Sequence, residues 1–472
     1  MDILDHPVLS IFLTQIFNIS LQSGYVPKCW KSKRVSPVFK NDSKTDPSNY
    51  RPISILPIPM KIFEKIVHDQ VSDHVSQFGF IDNRQSGFRK MFSTTTAVLD
   101  VSDYINEQLD HKRSVGAVLI DLKKAFDTVD HQILLKKLWC FGLRDTSLDW
   151  FESYLSDRKQ LTLVNNMESD LLQEDVYGVP QGSVLGPLLF LLYINDLRAE
   201  IKNSYCHLYA DDTIIIQSHQ NPDALISNLE LELTNVDRWL KKNKMTINTK
   251  KTECIFFGNK SHLKLFDNKT VKYMGIPLER KEKVKYLGVL FDENMQWHYH
   301  IENVRQKVNL KFSKIKSIAP CLTQFTKELL INALVMPHFH YCSPVWTSAA
   351  QFRLSKLDKK FQAIKTFLGK ESSFSINELF HKNHTILVFK ALSQLAPDYM
   401  CSKFSLAKNS HSHNTRGASK NNVTLPMVAS KFGKNLFNFR AAKIWNHLPN
   451  HVTEERSLLK FKSSISEHLG KF

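Results

Sequence analysis

The sequence has no Cys-x-x-Cys pair, no apolar run long enough for a bilayer and no basic leader at its N-terminus. Each absence removes a class of protein. Its seven cysteines (Cys29, Cys140, Cys206, Cys254, Cys321, Cys342, Cys401) are odd in number and dispersed. That excludes a zinc knuckle and a disulfide framework, and fits reduced thiols in an intracellular protein. The longest apolar stretch, Val184 to Ile194, falls short of the roughly 20 residues a membrane-spanning helix needs. Met1-Asp2 opens the chain without the basic n-region of a secretory signal. Acidic residues are scarce too, but in one region. Residues 301–472 hold 26 Lys and Arg against 9 Asp and Glu, whereas the first 300 hold 37 of each. The whole excess of +17 therefore sits in the last third. A basic segment beside a neutral one points to a polyanion, most simply nucleic acid. Ribosomal or membrane-surface contacts fit the charge alone equally well.

What is present reads as a globular protein of ordinary composition: 472 residues, 42% hydrophobic and 23% charged, enough for two to four domains. Helical periodicity runs through Val8–Leu21, Met60–Phe78, Thr94–Leu109, Asp130–Phe141, Leu188–Leu197 and from Asn221 to about Lys244. From Trp297 onward helices dominate, over Ile301–Ile318, Thr326–Leu334, Gln351–Leu368 and Phe432–Leu448. Short apolar runs predict strands at Val115–Ile120, within Tyr154–Val164 and at Glu253–Phe257, and a hairpin over Val284–Asp292. Residues 402–424, rich in Ser, Asn, His and Lys, read as a linker.

The chemistry centres on Cys206–Ile216, two β-branched flanks around the tip Tyr209-Ala210-Asp211-Asp212. Asp suits a tight turn because its side chain bonds the local backbone. Two adjacent carboxylates at one tip repel each other, and a divalent cation is their natural partner because hard cations take oxygen ligands. A plain solvated turn is the alternative. The Val115–Ile120 strand delivers Asp121 at its C-terminal end; if the two strands lie side by side, Asp121 meets Asp211 across 90 positions. Carboxylates so placed can hold two metal ions about 3.5–4 Å apart. Gly178-Val-Pro-Gln-Gly-Ser183 runs into an apolar helix, and Gly lets backbone approach a ligand closely. Arg51, beside Pro52, is either a phosphate clamp or an ordinary surface arginine in an ion pair. Asp127 reads as a cap for the following helix. His338, His340 and Cys342, and the pair His411 and His413, mimic metal-ligand spacing without a fourth ligand nearby. The Phe-rich stripe 432–439 reads as packing, although its interleaved Lys and Arg would suit single-stranded nucleic acid.

Ile120-Asp-Leu-Lys-Lys-Ala-Phe-Asp127, Gly178-Val-Pro-Gln-Gly-Ser183 and Tyr209-Ala-Asp-Asp212 resemble successive palm motifs of reverse transcriptases. Tyr50-Arg-Pro-Ile-Ser54, Gly87-Phe-Arg-Lys90, Lys251-Thr-Glu253 and Lys285-Tyr-Leu-Gly288 narrow the resemblance to non-LTR retrotransposons, most like the jockey group of long interspersed elements. His338–Trp346 and Phe439–Pro449 resemble the C-terminal regions of such elements. The resemblance implies an α+β fold, a right-hand polymerase of fingers, palm with antiparallel sheet and helical thumb, followed by a mainly α-helical basic extension. The implied boundaries are an N-terminal helical segment over 1–24, fingers 25–114, palm 115–298, thumb 299–370 and a basic C-terminal region 371–472.

By the same resemblance Asp121, Asp211 and Asp212 are the metal-site carboxylates, with the Leu122 backbone beside them. The ions would be two Mg²⁺, with Mn²⁺ as a substitute. Phe126 falls at the sugar gate, where a bulky ring clashes with a ribose 2′-hydroxyl; the alternative is a core Phe. Gln181, with Gly182, lines the incoming nucleotide and the template base, and Arg51 faces the triphosphate. Lys251 is either a proton donor to pyrophosphate or a solvated lysine. Tyr286, Leu287 and Gly288 form the primer grip. The implied function is RNA-directed DNA polymerase acting on template RNA, primer or target DNA and dNTPs, without a membrane, in nucleus and cytoplasm. Oligomeric state is open. Elements of this group carry an endonuclease before the polymerase; this sequence begins about two dozen residues before the first fingers motif, so a truncated copy or a polymerase-only reading frame is expected. Two other readings use the same residues: a catalytically silent nucleic-acid-binding relic, and a metal-dependent nuclease, in which Phe126 and Gln181 have no task.

Overall fold

The computed structural model describes residues 7–40, 43–173, 177–370, 374–407 and 421–470. His411 and His413, and most of the expected linker, lie outside the described residues. The chain divides into two compact units: Met1–Phe88 with Asp121–Lys202 and Thr234–Asn248, and Arg89–Ile120 with Asn203–Leu233 and Thr249–Phe472. Among the described residues no helix is long and apolar enough to cross a membrane.

The first unit is built on a sheet whose central strand, Ser32–Phe39, pairs antiparallel with Tyr50–Ile55 and parallel with Lys159–Val164. The helix Ile58–Gln77 buries Met60, Phe63, Glu64, Val67, Val71 and Val75, the three-to-four spacing of one helical face. Phe63 stacks on Phe17 at 4.5 Å and meets Trp150 edge-on at 5.3 Å, which ties the helices Pro7–Ser23 and Thr146–Leu155 to it. Leu185–Ile194 is apolar on every side and buried all round, as such a helix must be.

The second unit holds a sheet that is antiparallel, as expected, except at one edge, where Glu279–Arg280 runs parallel to Glu253–Phe257. Its strand order runs Glu279–Arg280, Glu253–Phe257, Ser114–Ile120, Asp212–His219, Tyr205–Tyr209. The helix Thr94–Asp110, started by a Ser93–Thr96 capping box, packs on this sheet. One continuous apolar core then runs from Val98 and Ala117 through Trp297 and Trp346 to Phe461 and Ile465. Residues read as a C-terminal extension thus share the core of the palm strands. The expected single helix over Phe432–Leu448 is two, Lys431–Asn435 and Phe437–Asn446. The break has a cause: the Phe437 amide, first in the second helix, donates to Asp103 Oδ1 at 2.9 Å.

The helix Thr94–Asp110 carries a row of carboxylates that receives the C-terminal segments. Asp100 and Asp103 face Lys403 at 3.5 and 2.9 Å. Asp110 accepts from the Ala429, Ser430 and Gly433 amides at 3.1, 2.6 and 3.2 Å. A Cβ at Gly433 would stand 2.6 Å from the Asp110 carboxylate, so only glycine lets the chain come this close.

Candidate active site

The Asp-Asp tip is a two-residue hairpin turn, with Tyr209 opposite Asp212 in register. Ala210 takes φ +55°, a left-handed conformation that costs a residue with a Cβ roughly 1–2 kcal/mol. Such strain gathers at functional sites. Asp211 is half-buried and Asp212 exposed. The expected neighbour is in place: Ser114–Ile120 pairs with Asp212–His219, Ile120 facing Thr213. Asp121 is the next residue along the first of these strands.

The backbone around Asp121 is stitched to residues 246–248. Leu122 bridges Ile247, the Lys123 amide donates to the Thr246 carbonyl at 2.9 Å, and the Asn248 amide donates to the Asp121 carbonyl at 2.7 Å. Asn248 also donates through Nδ2 to Asp121 Oδ2 at 2.9 Å. Asn248 carries no local signal of this role, because its partner lies 127 positions away. All three aspartates are hard oxygen donors, so their chemistry fits a divalent ion. Among the described residues no three His, Cys, Asp or Glu side chains stand close enough to hold a metal as they are placed.

The Gly178–Ser183 loop is held from three sides. The Ser54 amide donates to the Gln181 carbonyl at 2.6 Å. Gly182, at φ +107°, presses so closely on this strand that a Cβ would lie 2.7 Å from the Ser54 carbonyl oxygen. Beneath the loop, Glu64 is buried and accepts from the Val184 amide at 2.6 Å and the Tyr154 hydroxyl at 2.7 Å. Burial pushes the Glu64 carboxyl up, against those two hydrogen bonds and the Arg158 charge. Gln181 Nε2 donates to Asp127 Oδ1 at 2.8 Å.

That last bond corrects the expected role of Asp127. The helix His131–Cys140 is capped by Asp130, which accepts from the Ile133 amide at 2.9 Å; Asp127 lies one turn earlier, on the 3₁₀ turn Ala125–Thr128. Phe126, on the same turn, is half-buried, stacked on Phe190 at 4.3 Å and edge-on to Phe88 at 6.4 Å.

Arg51 is exposed on the Tyr50–Ile55 strand opposite Val38, and Lys251 is exposed in the turn before Glu253–Phe257. Tyr286, Leu287 and Gly288 form the turn of a hairpin, Lys283–Tyr286 with Val289–Asp292. The Tyr286 hydroxyl is buried with no hydrogen-bond partner among the described residues, and burial holds its pKa well above 10. His340 is exposed and shares a 3.3 Å contact with Asn383, while the buried Cys342 thiol lies 3.7 Å from Thr95.

Residues 39–291, more than half of the chain, match the family described as reverse transcriptase (RNA-dependent DNA polymerase). The chain belongs to the reverse transcriptase family. The right-hand polymerase fold comes with that membership. Among its relatives, the RNA-directed DNA polymerase from mobile element jockey of Drosophila melanogaster is 28% identical over 357 residues, covering 73% of this chain and 38% of that protein. The probable RNA-directed DNA polymerase from transposon BS of the same fly is 27% identical over 360 residues, with the same coverage of 73% and 38%. The reverse transcriptase chain thus spans little more than a third of these relatives. A solved telomerase from Candida tropicalis, in complex with a fragment of telomeric RNA, is 11% identical with a TM-score of 0.42, covering 98% of this chain and 68% of that one. Reverse transcriptases use divalent metal ions as a family.

Proposed function

We propose that this chain is the RNA-directed DNA polymerase of a non-LTR retrotransposon, extending a DNA 3′-end on an RNA template with dNTPs. The observation that carries the reading is the strand register Ile120–Thr213, which sets the strand ending before Asp121 against the strand beginning at Asp212. Asp121, Asp211 and Asp212 are the ligands we assign to two Mg²⁺ ions. When bound, such ions activate the attacking 3′-hydroxyl and neutralise the departing pyrophosphate. The chain's own residues position the reactants. Asn248 holds Asp121 in orientation, the Phe126 ring excludes a ribose 2′-hydroxyl, and Gln181 faces the nucleotide and template base. Arg51 binds triphosphate oxygens, Lys251 gives a proton to pyrophosphate, and Tyr286–Gly288 grips the primer. The excess positive charge of residues 301–472 supports backbone contacts to template RNA and target DNA without base readout. On this reading the protein works in nucleus and cytoplasm.

Primer extension on poly(rA)/oligo(dT) with Mg²⁺ tests this, comparing wild type with Asp211→Asn/Asp212→Asn. Extension by wild type alone supports both the activity and the carboxylates. Extension by neither, with salt-sensitive template binding retained, replaces it with a silent RNA-binding relic.

A further inference from the structure

The turn that carries Phe126 and the loop that carries Gln181 are joined at two points: the Val179 amide donates to the Phe126 carbonyl at 2.9 Å, and Gln181 Nε2 donates to Asp127 Oδ1 at 2.8 Å. The Phe126 ring also stacks, at 4.3 Å with 19° between planes, on Phe190 of the helix Leu185–Ile194 that follows the loop. Gly178 lets the two pieces approach: a Cβ there would stand 3.1 Å from the Asp127 carbonyl oxygen. Asp127 and Gln181 also wall one cavity of about 300 Å³, together with Lys33, His131 and Arg158.

Of the two joints, the Gln181–Asp127 bond is the one that acts on a side chain facing the substrate. A glutamine ends in one donor group and one acceptor, and turning it over exchanges them. An ionised carboxylate only accepts. Asp127 therefore admits one orientation of Gln181, with the NH₂ toward itself and Oε1 on the opposite side.

We propose that Asp127 is a positioning residue that fixes the Gln181 amide beside the Phe126 ring, so that sugar selection and base alignment are set by one rigid piece. This rests on the polymerase reading above and assigns a task to a residue outside the metal set. Breaking the bond frees Gln181 and loosens the turn that presents Phe126. Both discriminations then weaken together, while the metal-site carboxylates are untouched.

The test is single-nucleotide incorporation by the full chain on a primed RNA template, with the correct dNTP or the matching rNTP. Asp127→Ala is expected to raise KM for the dNTP about tenfold, the worth of one charge-assisted hydrogen bond, with kcat changed less than about threefold. Its preference for dNTP over rNTP should narrow in parallel. Asp127→Asn keeps an acceptor oxygen and should restore both. Gln181→Met breaks the same bond from the other side, and it too should narrow the sugar preference. Adding Asp127→Ala to it should cost little more, since the interaction is already gone. An unchanged KM and sugar preference in Asp127→Ala, or an Asn variant as impaired as Ala, overturns the proposal. If Asp127→Ala does not fold, Gln181→Met decides: an unchanged sugar preference there overturns it. A wild-type chain that extends neither substrate overturns the polymerase reading and this proposal with it.

Discussion

The Tyr341 hydroxyl donates to the Leu287 carbonyl at 2.7 Å, and its ring lies 3.2 Å from where a Cβ on Gly288 would stand. Leu287 and Gly288 both take positive φ, +43° and +79°, as the two-residue turn between Tyr286 and Val289 requires. A leucine is strained there, and the Tyr341 bond helps to hold it. Tyr341→Phe is expected to cost about 1 kcal/mol of stability in urea melts, the worth of one hydrogen bond. Because this turn is the proposed primer grip, the number of nucleotides added per primer-binding event should also fall. Unchanged processivity in a destabilised Tyr341→Phe would separate the turn from the primer.

Gly182→Ala tests how closely the Gly178–Ser183 loop must seat. At φ +107°, with the Ser54 carbonyl 2.7 Å from the new Cβ, the loop has to move off the strand. A loss of about 2 kcal/mol in thermal or urea melts is expected from backbone strain of this kind. Extension should fall about tenfold or more, since misplaced positioning groups are costly in catalysis.

Acid should weaken the second unit through Asp100. Burial alone would push this carboxyl up. The hydrogen bond with His207, the Lys403 charge and the Tyr205 hydroxyl at 2.6 Å outweigh it and bring the pKa to about 2, against an ordinary 3.8. A carboxyl lowered on folding adds stability that is full above its unfolded pKa and is lost as pH falls through the folded one. The window is therefore about pH 4 down to about 2, and the amount is about 2 kcal/mol. Urea melts across that window should show the slope in wild type and a shallower one in Asp100→Asn. Equal slopes would remove Asp100 as the cause.

The hairpin carboxylates should matter for chemistry and not for folding. Asp211→Asn/Asp212→Asn removes a repulsion between neighbours, so its melting temperature should be no lower than that of wild type while extension is lost. Chelation of divalent ions should stop wild-type extension and leave salt-dependent RNA binding in place. A double variant that melts well below wild type would make these carboxylates structural.

What the sequence showed and what it hid divide along one physical line. Elements with local signals were legible: Glu253–Phe257 matches the expected strand, the turn at Tyr209–Asp212 and the hairpin around Leu287 sit where predicted, and helix starts were within a few residues. Pairing of Ser114–Ile120 with Asp212–His219 was legible only as a condition, the one under which Asp121 and Asp211 meet. Contacts carried by a single side chain across a long separation left no pattern. Asn248 on Asp121, Glu64 under Val184 and Tyr341 on Leu287 join positions 127, 120 and 54 apart. Asp127 misleads because an acidic residue shortly before a helix looks like its cap, and Asp130 is three residues nearer.

The carboxylate row on Thr94–Asp110 has a consequence for how the protein is made. Asp100, Asp103 and Asp110 emerge from the ribosome early, yet the groups that neutralise or cap them, from Lys403 to Phe437, are synthesised 300 to 334 residues later. Contacts so distant in sequence form slowly and last. Asp100 meets Tyr205 and His207 about a hundred residues on, but until translation has passed Phe437 the late partners of Asp103 and Asp110 are not all in place. The packing around the helix Thr94–Asp110 is therefore finished only by segments near the far end of the chain.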